Sequence, residues 1–246
     1  AFTQSRAKLQ PEAFKDLNKV AVEAFYQSAD FDTWKGKRLL AVDGSILKLP
    51  NHPSVSEEFG QFQMGWKGEC PTSMATVSLL YDVLNQVTLD SQIGGFKSSE
   101  LALFHAHLTD LKPCDLVLLD RGYDCRWVLF ALQARGVDFC VRMKGLWNVV
   151  KSFLETTDAE RLVTFSLPKT DRHYLAQHPQ WWDQTITCRL VKVVLEDGTV
   201  EVLCTSLLNS NEHPIEEFQA LYHLRWNLEE AYKLLKSRIE LERFSG

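Results

Sequence analysis

The chain of 246 residues lacks several features that mark particular classes of protein. It has no apolar run approaching the roughly 18 residues of a membrane span, and its start lacks the charged-then-apolar order of a signal peptide. Its six cysteines form no Cys-x-x-Cys pair. These absences argue against a membrane protein, a zinc module and a disulfide scaffold, and they favour buried free thiols in a reducing cytoplasm.

An excess of basic residues is also missing. The net charge of −5 argues mildly against a protein that binds nucleic acid. Net charge is an average over the chain, however, and carboxylates clustered for a metal ion would lower it without removing local basic patches.

Neither end has the pattern expected of a chain terminus. The chain starts at Ala1 without an initiator methionine, and Gly246 directly follows a helical pattern. We therefore expect a fragment of a longer protein, with a DNA-reading domain before it and a dimerisation region after it.

Periodicity and turn residues predict alternating helices and strands. Helices are predicted at 5–30, starting near Pro11, at 99–110, from a cap at Asp124 to Arg135, and from Pro214 to the end. Strands are predicted at 38–43, 74–81, 86–93, 115–120, 137–143, 185–195 and 199–207, with Asp197-Gly198 as the turn of a hairpin. Gly44-Ser45 predicts a tight turn, and residues 46–72 read as a loop.

This order of elements describes an α/β protein with an RNase H-like mixed sheet flanked by helices. Composition shifts toward β-branched residues after residue 150. We predict an N-terminal helical segment at 1–35, the first part of the core at 36–150, a β-rich insertion at 151–208, and a C-terminal core helix at 209–246.

Two acidic residues, Asp43 and Asp120, each follow a short apolar strand. An acid in this position is often only a turn residue or a helix cap. Side chains at the carboxyl ends of strands in open α/β sheets also project into the ligand crevice. Two such acids on strands that could be neighbours make a functional role the more attractive interpretation.

A third acid, Glu229, lies in an unusual helical pattern. At about 100° per residue, a stripe about 60° wide carries Tyr222, Arg225, Glu229 and Lys236, and Lys233 falls beside it. Ordinary solvated helix faces carry ion pairs such as Arg225 with Glu229. They explain less well why aromatic and basic residues centre on one acid, whose neighbour Glu230 points about 100° away.

These motifs resemble the DDE transposases of bacterial insertion sequences, specifically insertion sequence family four with its YREK signature. Tyr222, Arg225, Glu229 and Lys236 match every gap of that signature. The segment Asp120-Arg121-Gly122-Tyr123 resembles the motif around the family's second catalytic acid, and Ala41 to Ser45 resembles the first. The resemblance extends over nearly the whole chain, because 6–26 reads like the segment that precedes the core.

The resemblance implies a cut-and-paste transposase that cleaves transposon ends and transfers the strands into target DNA. Asp43, Asp120 and Glu229 would be the catalytic carboxylates and would hold two Mg²⁺ ions, with Mn²⁺ as a substitute; Asp43 would bridge the two. Implied partners are double-stranded DNA, as terminal inverted repeats and target, and a second copy of the protein in a synaptic homodimer. The implied location is the bacterial cytoplasm, at the nucleoid, with no membrane partner.

Further residues are candidates for DNA contacts. The resemblance implies phosphate contacts for Tyr222, Arg225 and Lys236, and helical phase adds Lys233. Basic residues that follow strand ends could add others: Arg121, Arg142 and Lys144. Trp182 in the Trp181-Trp182 pair could stack a flipped base, although packing is the simpler interpretation.

Other acids and histidines receive structural interpretations. His105 and His107 do not share a helix face, so we predict no metal site there. Asp124 could assist metal binding but is better explained as a helix cap. Two alternatives to a transposase stay open: a domesticated or inactive DNA-binding module, and another RNase H-like nuclease such as a repair enzyme or resolvase.

Overall fold

The computed structural model describes residues 8, 10–28, 30–64, 70–176, 178–238, 240 and 242. Within these, the helices are α1 (Pro11–Ser28), α2 (Pro53–Phe59), α3 (Glu100–His107), α4 (Arg126–Gln133), α5 (Asn148–Leu154), α6 (Glu217–His223) and α7 (Trp226–Ser237). The strands are β1 (Leu39–Lys48), β2 (Gln61–Met64), β3 (Cys70–Asp82), β4 (Val87–Gly95), β5 (Leu116–Leu119), β6 (Asp138–Arg142), β7 (Glu160–Ser166), β8 (Thr185–Val194) and β9 (Val200–Thr205). Short 3₁₀ helices lie at Arg121–Tyr123, Lys169–Leu175 and Pro179–Trp181.

The central part of the sheet has the strand order β4-β3-β1-β5-β6. Strands β1, β5 and β6 are parallel, and β3 runs antiparallel to β1 and β4. The parallel strands are joined through helices, as crossover connections require. The predicted RNase H-like fold is confirmed by this order.

The central strands of the sheet are buried on both faces. Alternate residues of β1 and β5 point to opposite sides, because side chains along a strand alternate. One face packs under α3, α4 and α5, and the other packs under α6 and α7. Runs such as Leu39–Val42 and Leu116–Leu119 are therefore apolar throughout, as expected of strands covered on both sides.

The β-rich segment continues the same sheet. β9 pairs antiparallel with β6, β8 pairs with β9, and β7 pairs with β8. Gly198 in the turn between β8 and β9 has φ +81°, which suits glycine and confirms the predicted hairpin. The five cysteines whose side chains the structure describes are free thiols: Cys140, Cys188 and Cys204 are buried as predicted, whereas Cys125 is half-buried and Cys114 is exposed.

Some sequence predictions near β1 are wrong. β1 does not end at Asp43 with a turn at Gly44-Ser45; it continues to Lys48, because β3 pairs with it along residues 74–82. The predicted loop at 46–72 contains α2 and β2 and the ends of two strands. Of the helix predicted at 5–30, α1 covers 11–28, while residues 5–7, 9 and 29 lie outside the described part.

The C-terminal helical pattern forms two helices joined by a helical turn at Leu224 and Arg225. Of the predicted helix beyond Ser237, residues 239, 241 and 243–246 lie outside the described part. No helix among the described residues is long and apolar enough to cross a membrane.

Candidate active site

Strand register places Asp43 and Asp120 side by side. The parallel ladder between β1 and β5 ends with Val42 opposite Leu119, so the next residue on each chain is an acid. By alternation both continue the rows that face α6 and α7. The two acids therefore lie at the carboxyl end of β5, where open α/β sheets bind ligands.

Backbone amides hold both carboxylates. Asp43 Oδ1 accepts from the Gly44 amide at 2.8 Å, and Asp120 Oδ1 accepts from the Gly122 amide at 2.6 Å. Asp120 is thereby the N-cap of the 3₁₀ helix Arg121–Tyr123. Its capping role and a role in a site are compatible, because each carboxylate has acceptor capacity left over.

Arg225 connects Glu229 to this place. Its guanidinium donates to Glu229 Oε1 at 2.7 Å and to Asp43 Oδ2 at 3.3 Å. Arg225 is only 4% exposed, whereas the Glu229 side chain is 30% exposed. A buried cation thus lies between two of the three predicted catalytic acids.

Two residues of the predicted signature, Tyr222 and Lys236, donate hydrogen bonds to β5 and β1 next to the acids. The Tyr222 hydroxyl donates to the carbonyl of Leu119 at 3.1 Å, and Tyr222 is 7% exposed. The Lys236 ammonium donates to Ser45 Oγ at 2.8 Å and to the Ile46 carbonyl at 2.7 Å. A phosphate contact donated by the Tyr222 hydroxyl would require it to leave the Leu119 carbonyl, whereas the Lys236 ammonium has three N–H donors and these contacts use two of them.

Tyr232 is a further support that the sequence pattern did not reveal. Its hydroxyl donates to the Asp43 carbonyl at 2.9 Å, and its side chain is buried against the face of β1. Its position, one turn before Lys236, could have indicated that this face of α7 meets β1.

The pKa of Asp43 is raised by its surroundings. Burial raises the pKa of Asp43 from 3.8 to about 6, the Gly44 amide and Arg225 oppose the rise, and the negative charges of Asp120 and Glu100 add to it. Carboxylates held together without a cation repel one another, and perturbed pKa values of this kind cluster at functional sites.

Glu100 is an acid that the sequence analysis missed. It is the first residue of α3, which begins after Ser99, and nothing in its local pattern separates it from an ordinary acid in the first turn of a helix. Its carboxyl group lies against Gly44: a Cβ built on that glycine would be 2.6 Å from the Glu100 carboxyl carbon. Burial and then the charge of Asp120 raise the pKa of Glu100.

Hard carboxylate oxygens such as these suit Mg²⁺ and Mn²⁺. In the described part of the chain, no three Asp, Glu, His or Cys side chains converge closely enough to hold one ion together. The donor chemistry and the mutual repulsion fit a divalent cation. Binding one would require local rotation of side chains, above all the release of Asp43 and Glu229 from Arg225.

Three predicted basic residues come together in one groove. Arg121, Arg142 and Lys144 line it, and its floor includes residues of α5 and β9. Arg142 is engaged with Glu201 at 2.7 Å, whereas Arg121 and Lys144 are exposed. Lys233 lies elsewhere and pairs on the exposed side of α7 with Glu230 at 2.6 Å.

The aromatic pair is packed. Trp182 lies against the main core, and the Arg172 guanidinium is 5.2 Å from its ring centre. Trp181 stacks on His178 with ring centres 4.1 Å apart. The structure thus gives both rings protein partners, and base stacking by Trp182 stays a prediction.

The predicted capping role of Asp124 is wrong, whereas the structural interpretation of His107 is supported. The cap position of α4 is Cys125, and Asp124 Oδ2 instead accepts from the Lys144 amide at 2.7 Å. Burial raises the pKa of Asp124 to about 6. His107 is buried between Asp90 and Ser78, with ring nitrogens 2.6 Å and 3.0 Å from their oxygens.

A comparison with protein families gives a match over most of the chain. Residues 34–246 match the family described as "Transposase DDE domain", so the chain belongs to this family of DDE transposases. The resemblance drawn from the YREK spacing is thereby confirmed. Members of the family generally depend on divalent metal ions.

Two relatives come from Escherichia coli (strain K12). The chain is 22% identical over 250 residues to "Transposase InsG for insertion sequence element IS4", with 100% of the chain and 54% of the relative covered. It is 21% identical over 124 residues to "Putative transposase InsZ", with 50% of the chain and 42% of the relative covered. The chain thus spans about half the length of these relatives or less.

A solved structure is also similar in outline. The NurA nuclease from Sulfolobus solfataricus matches with a TM-score of 0.33 and 11% identity, over 96% of this chain and 99% of that one. The fold assignment rests on the strand order described above.

Proposed function

We propose that the protein cleaves DNA at the ends of a transposable element and joins the released 3′-ends to target DNA. The carboxylates of Asp43, Asp120 and Glu229 would hold the divalent ions. The observation that carries the proposal is the strand register, which puts Asp43 beside Asp120, together with Arg225, which links Asp43 to Glu229. Family membership supports the reaction class.

Asp43, Asp120 and Glu229 would hold the divalent ions, which when bound would supply activation of the attacking water or 3′-hydroxyl and stabilisation of the leaving oxygen. The protein's own part is positioning. The Gly44 and Gly122 amides orient the two aspartates, and Tyr222 fixes the end of β5 through the Leu119 carbonyl. Such fixed supports keep a catalytic group in a reactive geometry.

Arg225 has a second potential role in this scheme. If its pairs with Asp43 and Glu229 opened, the guanidinium would be able to donate two parallel hydrogen bonds to a phosphate. The groove lined by Arg121, Arg142 and Lys144 offers positive charge to a longer stretch of backbone. We further propose that the metal is Mg²⁺, with Mn²⁺ as a substitute. The proposed partners are double-stranded DNA and a second copy of the protein, in a homodimer at the paired ends.

The test is cleavage of DNA that carries the element's own terminal repeats, in Mg²⁺, by Asp43→Asn, Asp120→Asn and Glu229→Gln. Each substitution should abolish cleavage while the far-ultraviolet circular dichroism spectrum is unchanged. Glu230→Gln is the matched control, because Glu230 neighbours Glu229 but pairs outward with Lys233.

The outcomes separate the alternatives. Retained cleavage in one of the three variants would remove that residue from the site. DNA binding by the unaltered chain without any cleavage, in Mg²⁺ or Mn²⁺, would instead favour a non-catalytic DNA-binding module.

A further inference from the structure

Glu100 reaches the same place as the aspartates from the opposite side of the sheet. α3 packs on the face opposite to α6 and α7, and Gly44 belongs to the row of β1 that faces α3. β5 ends at Leu119, so the sheet does not separate Glu100 from the residues that directly follow β5. Carboxylates from both faces therefore meet at one end of β5.

Two glycines make this approach possible. A Cβ on Gly44 would lie 2.7 Å from Glu100 Oε1, closer than real Cβ contacts allow. A Cβ on Gly122 would lie 2.8 Å from Asp120 Oδ1 and 3.8 Å from Glu100 Oε2. One point above Gly122 thus lies within 4 Å of an oxygen of each carboxylate, so Asp120 and Glu100 are neighbours.

The Glu100 carboxylate has no positively charged partner in the part of the chain that the structure describes. Glu100 is solvent-exposed, and within the described residues its carboxylate has no hydrogen-bond donor and no ion-pair partner, whereas Glu229 has Arg225. An unpaired carboxylate next to another acid is repelled by it, and a shared cation would remove that repulsion.

An independent feature points into the same cluster. Tyr123 is fully buried, and its hydroxyl has no hydrogen-bond partner among the described residues. Its ring packs on Phe104, one turn along α3 from Glu100, with ring centres 5.5 Å apart, and its amide donates to the Asp120 carbonyl at 3.1 Å, so Tyr123 lies between the helix of Glu100 and Asp120. A buried donor without an acceptor at this place fits a water or carboxylate that is rearranged around a bound ion.

We propose that Glu100 is a fourth carboxylate of the metal site and holds the divalent ion on the Asp120 side. The inference rests on the proposed function, because it assumes that Asp43 and Asp120 bind metal. The alternative role for Glu100 is that of an acid that stabilises the start of α3. That role alone would not affect metal binding.

The test is direct binding of Mn²⁺, followed by the electron paramagnetic resonance signal of the free ion, for the unaltered chain and Glu100→Gln. We expect Glu100→Gln to weaken binding by about tenfold or more. Glu57→Gln, at an exposed acid of α2, is the matched control and should bind as the unaltered chain does. Unchanged Mn²⁺ binding with a lowered melting temperature in Glu100→Gln would overturn the proposal in favour of a helix-end role.

A second variant displaces the carboxylate without removing its charge. Gly44→Ala forces the flexible Glu100 side chain to move, so Mn²⁺ binding should weaken as in Glu100→Gln. Gly145→Ala is its control, because the added Cβ would make only an ordinary 3.9 Å contact with Leu154. Normal binding by Gly44→Ala would contradict the proposal.

Asp120→Asn distinguishes the two levels of inference. If Asp120→Asn also leaves Mn²⁺ binding unchanged, the metal site itself is misplaced and the proposed function fails. If Asp120→Asn weakens binding but Glu100→Gln does not, the three-acid site stands and only the role of Glu100 is rejected.

Discussion

The guanidinium of Arg225 lies 2.7 Å from the carboxylate of Glu229, one helical turn further along the chain. The same guanidinium reaches Asp43 at 3.3 Å. Arg225 thus compensates, from within the protein, charges that we assign to a metal site. The arrangement predicts that Arg225 contributes more to the free energy of unfolding of the metal-free protein than to that of the metal-bound protein.

Replacing Arg225 with methionine should therefore destabilise the metal-free protein. Asp43 and Glu229 would lose their shared cation, and we expect a loss of about 2 kcal/mol in the free energy of unfolding, because partly buried charges are left unpaired. Urea unfolding with EDTA and with saturating Mg²⁺ measures this. The loss should shrink in Mg²⁺; an equal loss in both conditions would contradict the role of Arg225 as a stand-in for the ion. Lys233→Met, at an exposed pair, should change neither curve measurably.

The stability of the metal-free protein should fall as pH rises through about 6. Burial raises the pKa of Asp43 from 3.8 to about 6, so the folded state binds the proton more tightly than the unfolded state. The contribution is complete below the unfolded pKa of 3.8 and is lost as pH rises through the folded pKa of about 6.

Asp43→Asn should remove the contribution of Asp43 to this dependence, about 2–3 kcal/mol from the size of the pKa shift. Urea unfolding at several pH values in EDTA gives the comparison. Asp124→Asn provides an independent reference, because burial raises the pKa of Asp124 to about 6 as well, away from the three acids. Identical pH profiles for Asp43→Asn and the unaltered chain would show that Asp43 is not buried as described.

DNA affinity should depend on the basic groove through charge alone. Alanine at exposed Arg121 or Lys144 should weaken binding to any duplex sequence and lower the slope of log K against log salt concentration by about 1. Fluorescence anisotropy across a salt series measures both quantities. Lys19→Ala, at an exposed lysine of α1, is the control of equal charge. An equal change of slope for Lys19→Ala would mean that only total charge matters.

Among the residues of β7, β8 and β9, the buried Arg189 should be the one whose replacement lowers the free energy of unfolding most. It pairs with Glu160 and donates to the His213 carbonyl at 2.7 Å, which ties β8 to the loop before α6. Arg189→Met should cost about 3 kcal/mol, because it leaves a carboxylate and a buried carbonyl without their donor. Thermal and urea unfolding measure the loss, and Lys151→Met on the surface of α5 should be neutral. A neutral Arg189→Met would show that the pair contributes no net stability.

Sequence patterns predicted the central strands and the helices that cover them, because short apolar runs and turn residues are local signals. They also singled out Asp43, Asp120 and Glu229 for one site. The extension of β1 beyond Asp43 was not predictable in this way, since it depends on pairing with β3 about 35 residues later. The continuity of the antiparallel segment with β6 is likewise a non-local pairing.

Glu100 shows the same limit within the site. An acid in the first turn of a helix is common, and only the fold reveals that Gly44 leaves room for it beside Asp43. Helical phase put Tyr222, Arg225 and Glu229 on one stripe but could not show that the stripe faces inward. Burial of Tyr222 and Arg225 follows from how α6 packs on the sheet, which is a tertiary property.

The pairing of β6 with β9 has a consequence for the behaviour of shortened forms of the protein. A chain that lacks 160–205 would retain all the acids of the site but would leave β6 as a bare edge strand. Unpaired N–H and C=O groups on such an edge recruit strands from other molecules. Strands β7, β8 and β9 therefore protect β6 from pairing with other molecules. We expect deletion of 160–205 to yield insoluble protein rather than a soluble, shorter form.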